Sequence, residues 1–186
     1  MANPKSSLRF VKWEKYVDFY GDILDDQAAK SRRKGGLPAP IRLLGIGVFD
    51  GGSLNLWRRY FGEEAIIYGI DVDPSCANLA ALEAEVRIGS QSAKGFLDSV
   101  LKEMGGVDIV IDDCSHLSED VIASFLHLFP KLESPRHCFI EDLHTTYWPR
   151  SGGGLRRRGS SVEVLQKIVD VTNSFYFGRE PTKKSM

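Results

Sequence analysis

With 186 residues, 42% of them hydrophobic, the chain can bury one domain with a real core. Its 24 basic residues against 25 acidic ones leave a net charge of −1, so no global field favours nucleic acid or an anionic membrane surface. Cys76, Cys114 and Cys138 are odd in number, widely spaced and lack a CxxC pair; this argues against a disulfide framework or a zinc site and fits a reducing cytoplasm. The opening "MANPKSSLRF" has no apolar signal core, and no apolar run approaches the ~18 residues a membrane span requires, so a soluble cytoplasmic protein is expected.

The first periodic stretch, "RFVKWEKYVDFYGDIL", carries Phe10, Trp13, Tyr16, Val17 and Tyr20 at helical spacing. It predicts an amphipathic helix packed on the domain, with the alternative that a tyrosine or two enters a substrate pocket. "AAKSRRKGGLPAP" then reads as a linker, so residues 1–40 form a helix and linker ahead of a single domain at 41–186.

From Ile41 strands and helices alternate. "IRLLGIGV" is a strand and "GGSLNLWRRYF" a helix; "AIIYGIDVD" is a strand and "SCANLAALE" a short helix. "AEVRIG" is a strand, "SAKGFLDSVLKEM" a helix, "VDIVIDD" a strand and "SEDVIASFLHLF" a helix. "RHCFIEDL" is a fifth strand, and "SVEVLQKIVDVTNSF" a last helix after a glycine-rich loop. Short, apolar, often β-branched strand cores between helices predict a doubly wound, mostly parallel α/β sheet of Rossmann type. Only "YFGREPTKKSM" ends the chain, so "RHCFIEDL" is expected to be an exposed edge that a second copy of the chain, or "NSFYFG" folding back, would cover.

Ligands in such sheets bind beyond the carboxyl ends of the strands, where strand order reverses. Every strand end here is polar: Gly47, Asp50 and Ser53; Asp71 and Asp73; Ser90 and Gln91; Asp112, Asp113 and His116; Glu141, Asp142 and His144. In "GIGVFDGGS" the glycines, Gly51 among them, permit a tight turn into a helix whose free N–H groups can meet a ligand, although the spacing departs from G-x-G-x-x-G. Asp71, 24 residues after Gly47, stands where an acid meets a ribose diol, so an adenosine-containing cofactor is expected. No tyrosine has a lysine four residues on, as a short-chain reductase would require, and S-adenosylmethionine fits better than a dinucleotide.

Asp113, Glu141 and Asp142 should meet at neighbouring strand ends, where three carboxylates suit Mg²⁺. His116 could then take a proton from a substrate hydroxyl. On a regular strand Asp112 and Asp113 cannot both face one point, so the backbone is expected to bend there, with Asp112 assigned to the cofactor and Asp113 to the metal. His127 and His137 read as surface or packing residues and Cys114 as a small filler. "TTYWPRSGGGLRRRG" is expected to be a mobile lid hinged on its glycines, its arginines able to meet an anionic substrate group.

The motifs "KWEKYVDFY", "LLGIGVFDGGSLNLW", "YGIDVDP", "IGSQ", "IDDCSH" and "EDLHTTYWPRSGGG" together resemble the metal-dependent sugar O-methyltransferases of macrolide pathways and their relatives in natural-product and polysaccharide clusters. The resemblance implies a class I methyltransferase using S-adenosylmethionine and Mg²⁺ on a hydroxylated small-molecule acceptor. By motif position it implies Asp113, Glu141 and Asp142 as metal ligands, His116 as base and Asp71 on the ribose. The chain departs from the family at Gly45, where a glutamate is usual, at Cys114, where glycine is usual, and in lacking the usual last strand pair. Two alternatives stand beside the enzyme: a non-catalytic cofactor-binding paralogue, and a component related to cephalosporin hydroxylation.

Overall fold

The computed structural model describes residues 14–31, 39–79 and 82–174. Five parallel strands, β1 (Arg42–Ile46), β2 (Ile66–Asp71), β3 (Glu85–Ile88), β4 (Val107–Asp112) and β5 (Leu132–Ile140), form one sheet in the order β3-β2-β1-β4-β5. The chain winds outward from β1 to β3, then returns to the other side of β1 for β4 and β5. Strand order therefore reverses between β1 and β4, as the doubly wound expectation requires.

Alternation along the strands decides what each face buries. Leu43, Ile67, Ile109 and Ile111 point to one face and pack with Tyr20, Leu24 and Ala28 of α1 (Glu14–Ser31) and Leu54, Trp57 and Phe61 of α2 (Gly52–Phe61). Leu44, Ile46, Ile70 and Val110 point to the other, beneath Leu97, Val100 and Leu101 of α3 (Lys94–Met104) and Leu128 of α4 (Ser118–Leu128). A fifth helix, α5 (Ser161–Thr172), packs on α4. All six β4 residues are buried, which explains the near-continuous apolar run of that strand.

Four differences from the sequence expectations are local. Helix α1 continues through Ser31 into the stretch read as linker, because Tyr20, Leu24, Ala28 and Ser31 extend one buried stripe. After β2 there is a 3₁₀ turn, Pro74–Asn78, rather than an α-helix; Pro74 starts it and the Asp73 side chain caps the Ser75 N–H. Helix α5 ends at Thr172, short of Phe175. Strand β5 starts at Leu132, and its register against β4 shifts between Val107 and Ile109. Phe10, Trp13, the stretch 32–38 and the fold-back residues after Ser174 lie outside the described residues. No helix among the described residues is long and apolar enough to cross a membrane.

Candidate functional site

Four of the five strands hand their hydrogen-bond ladder one residue past their ends. Gly47 donates to the Ile70 carbonyl at 2.9 Å, Asp113 to Ile46 at 2.9 Å, Glu141 to Asp112 at 2.9 Å and Gly89 to Asp71 at 2.8 Å. The first loop residues are thus fixed by the sheet, and they carry the polar groups. Gly47 has φ +99°, and a Cβ there would lie 2.4 Å from the Asp113 carbonyl oxygen, so only glycine lets the two loops at the reversal point lie side by side. Gly51, at φ +77°, opens α2 with no side-chain cap on the helix N-terminus.

Between this turn and the β4 loop lies a cavity of about 480 Å³, lined by Gly47 to Asp50, Gly52 and Ser53 on one side and Asp113, Cys114 and His116 on the other. Phe49, at φ 49° and largely exposed, offers it an apolar ring that sequence reasoning missed. Asp71 sits behind the turn. Its Oδ2 accepts the Val48 and Phe49 N–H groups at 2.8 and 3.2 Å, and its Oδ1 the Asp73 N–H at 3.0 Å. Burial opposes ionisation, but those N–H groups outweigh it and hold the carboxyl below its usual range.

Asp112 and Asp113 go opposite ways. The Asp112 side chain turns to the α3/α4 face and is buried; its oxygens accept from Gln91 Nε2 at 2.9 and 3.2 Å and from Ser124 Oγ at 2.8 Å. Burial raises its pKa, against the lowering by Ser124 and Gln91. Neither Asp112 nor Gln91, both expected to contact a cofactor, lines this cavity: strand alternation points Asp112 away, and Gln91 is its buried partner. The Ser90 hydroxyl bonds Ser92 at 2.8 Å and lies outside the lining as well.

On the α1/α2 face Asp113, His116 and Asp142 converge, with one ligand atom from each within 4.8 Å of the others. His116 Nε2 is 4.0 Å from Asp113 Oδ1 and 3.9 Å from Asp142 Oδ2. His116 and Asp142 both hold the left-handed φ of 53°, uncommon for such residues and typical of sites where the surroundings fix a side chain. Helix α1 supplies two partners one turn apart. Tyr16 donates its hydroxyl to Asp142 Oδ1 at 3.0 Å and accepts the Asp142 N–H at 3.1 Å; Tyr20 donates to Glu141 Oε1 at 2.6 Å. Burial and then the facing Glu141 charge push the Tyr20 hydroxyl upward, so it acts as a proton donor in that bond. Helix α1 packs on the domain as expected, and its Tyr16 and Tyr20 hydroxyls also reach the acidic residues after β5. Only the i, i+4 spacing of Tyr16 and Tyr20 signalled it.

The donor set fits a hard divalent cation in part. Asp113 and Asp142 converge as expected, but His116 completes the group where Glu141 was anticipated; Glu141 is buried and faces Tyr20. His144 stands near, with Nδ1 4.0 Å from Asp142 Oδ1. His127 pairs with Asp98 at 2.8 Å, and His137 bonds Gln27 at 2.8 Å, both away from the site. Burial, followed by neighbouring carboxylates, pushes the Cys114 thiol up to about 12, which suits a filler and not a nucleophile. Gly45 pairs with Gly69 across β1 and β2, and Leu54 fills the space above both; a Cβ on Gly45 would meet Leu54 at 2.8 Å. Leucine on α2 thus occupies the space a larger residue at 45 would need.

No protein-family model matches the chain. It is 37% identical over 141 residues to the demethylmacrocin O-methyltransferase of Streptomyces fradiae, covering 72% of this chain and 35% of that one. To the mycinamicin VI 2''-O-methyltransferase of Micromonospora griseorubida it is 33% identical over 153 residues, covering 77% and 38%. The solved methyltransferase MycE, in complex with Mg, SAH and Mycinamycin VI, superposes with a TM-score of 0.74 at 30% identity over 90% of this chain and 45% of that one. Over most of its own length the chain is similar to these O-methyltransferases in both sequence and fold. Its sheet is the class I methyltransferase fold, and it spans well under half the length of the curated relatives it matches.

The lid expectation changes in the same region. Gly153 is buried, and a Cβ there would collide with the Thr146 carbonyl; Gly153 donates to Trp148 at 3.0 Å and Gly154 to Thr146 at 2.8 Å. These glycines serve close packing of the loop on the site's own turn, not a free hinge.

Proposed function

We propose that this protein is an O-methyltransferase that uses S-adenosylmethionine and Mg²⁺ to methylate a hydroxyl of a sugar or other small natural product. The observation that carries the reading is the Asp113–His116–Asp142 group, two members of which line the cavity formed by the glycine turn. The names of the relatives support it, as does the Mg and SAH content of the MycE complex. The donor supplies a methyl on a sulfonium, and the cation makes a bound hydroxyl more acidic.

The chain's own residues do the rest. The turn at Gly47, Gly51 and Ser53, with the uncapped N-terminus of α2, receives the cofactor, and Asp71 holds that turn in place while facing the ribose position. Gln91 and Asp112, with Ser90 nearby, brace the β4 end from behind. Asp113 and Asp142 hold the cation, and Glu141, anchored by Tyr20, adds charge beside them. His116 takes the hydroxyl proton as the oxygen forms its bond to the methyl carbon and the sulfur–carbon bond breaks, leaving S-adenosylhomocysteine and a methyl ether. The domain at 41–186 would act in a reducing cytoplasm as a homo-oligomer. Calorimetric titration with S-adenosylhomocysteine, with and without Mg²⁺, tests the reading: binding in both conditions is expected, and no heat in either would overturn it.

A further inference from the structure

A second cavity of about 470 Å³ lies between the N-terminus of α4, from Leu117 on, and the loop 149–159. Arg150, Arg157 and Arg158 line it, with Glu119 the single acidic lining residue. Leu117, at the N-cap of α4, provides no side-chain cap for the first turn of this eleven-residue helix. Inside that turn Ser118 is 3% exposed, and its Oγ has no hydrogen-bond partner among the described residues. A buried hydroxyl left so is costly unless something from outside completes it.

We propose that this cavity binds the phosphate group of an acceptor whose hydroxyl is presented to His116. The inference rests on the methyltransferase reading and narrows its substrate class to a phosphorylated sugar or similar hydroxylated phosphate. Backbone N–H groups and the positive end of α4 suit an oxyanion, and arginine forks match phosphate geometry. The Ser118 hydroxyl can donate to the same group. Two contacts hold the loop's arginines in place before a ligand arrives. Arg157 Nη1 donates to the Gly153 carbonyl at 3.2 Å, and the Arg150 guanidinium lies over the Trp148 ring, 4.5 Å from its centroid. Ser118 follows the catalytic His116 by two residues, so one acceptor can bridge both.

Amide NMR titrations of the full chain with inorganic phosphate, glucose 1-phosphate and glucose test the proposal. Shifts at Ser118, Glu119 and Asp120 are expected with both phosphates, tighter for glucose 1-phosphate, and none with glucose. Arg158→Gln should weaken that binding about tenfold, as loss of a charged hydrogen bond predicts. Ser118→Ala, which barely alters packing, gives a second variant with the same expected direction. Equal affinity for inorganic phosphate and glucose 1-phosphate would overturn the acceptor assignment, and no response at residues 118–120 would overturn the site. S-adenosylhomocysteine titrated into the same samples separates the two readings: cofactor binding with no phosphate response sinks this inference alone.

Discussion

At His116 the backbone is held at a left-handed φ and the ring sits about 4 Å from two carboxylates, so its position is fixed before any ligand arrives. His116→Ala should lower turnover by about 10²–10⁴-fold while S-adenosylhomocysteine affinity stays near wild type. Asp113→Asn should instead weaken the Mg²⁺ dependence of activity, again sparing the cofactor; turnover indifferent to a chelator in the parent protein would remove the metal role. Asp112 makes a separate prediction. Its folded pKa is raised by burial, so its contribution to stability is full below the ordinary carboxylate value of about 4 and is lost as pH rises through the folded value. Urea unfolding from acid to neutral pH should show wild type losing stability relative to Asp112→Asn. A difference between the two proteins that does not vary with pH would mean the carboxyl is not perturbed.

Among the elements, β1 and β4 carry the site because their first loop residues touch. The Gly47 turn lies against the Asp113 carbonyl, and Asp71 at the end of β2 ties down the same turn through two N–H groups. Gly47→Ala must either push the β4 loop away or distort the turn. It should cost about 3 kcal/mol in urea unfolding and weaken cofactor and metal binding together. Retention of both affinities in a folded Gly47→Ala protein would show that the two loops are not coupled. Helix α1 plays the complementary part on the other side. Tyr16 and Tyr20 reach Asp142 and Glu141 from more than a hundred residues away in sequence, and this couples the packing of that helix to the acidic cluster.

For the whole molecule, β5 pairs only with β4 among the described residues, and Cys138, Phe139 and Ile140 on it are half-buried. A parallel sheet with a bare edge invites a partner strand. Sedimentation should show mass rising with concentration, and exchange of the β5 amides should slow in parallel. A monomer at all concentrations with already protected β5 amides would point to cover from within the chain. Thiol reagents are a poor probe of this edge: burial, then the nearby Asp112 charge, pushes the Cys138 thiol up to about 12, so it reacts slowly in either state.

The sequence by itself determined the sheet, because the alternation of short apolar strands with helices has few parallel solutions and the period of each segment is a local property. It also determined which end carries function, since the polar residues Asp71, Asp113, His116, Glu141 and Asp142 all fall at or just past a strand end. Only the tertiary structure decided how those groups divide. Strand alternation and the bends after β4 and β5 sent Asp112 into a buried network with Gln91 and Ser124, and set His116 beside Asp113 and Asp142. The glycine requirement at Gly153 and the Ser118 hydroxyl, unpartnered among the described residues, were likewise invisible in the chain. Each depends on contact between segments distant in sequence, and no local pattern of residues encodes such contacts.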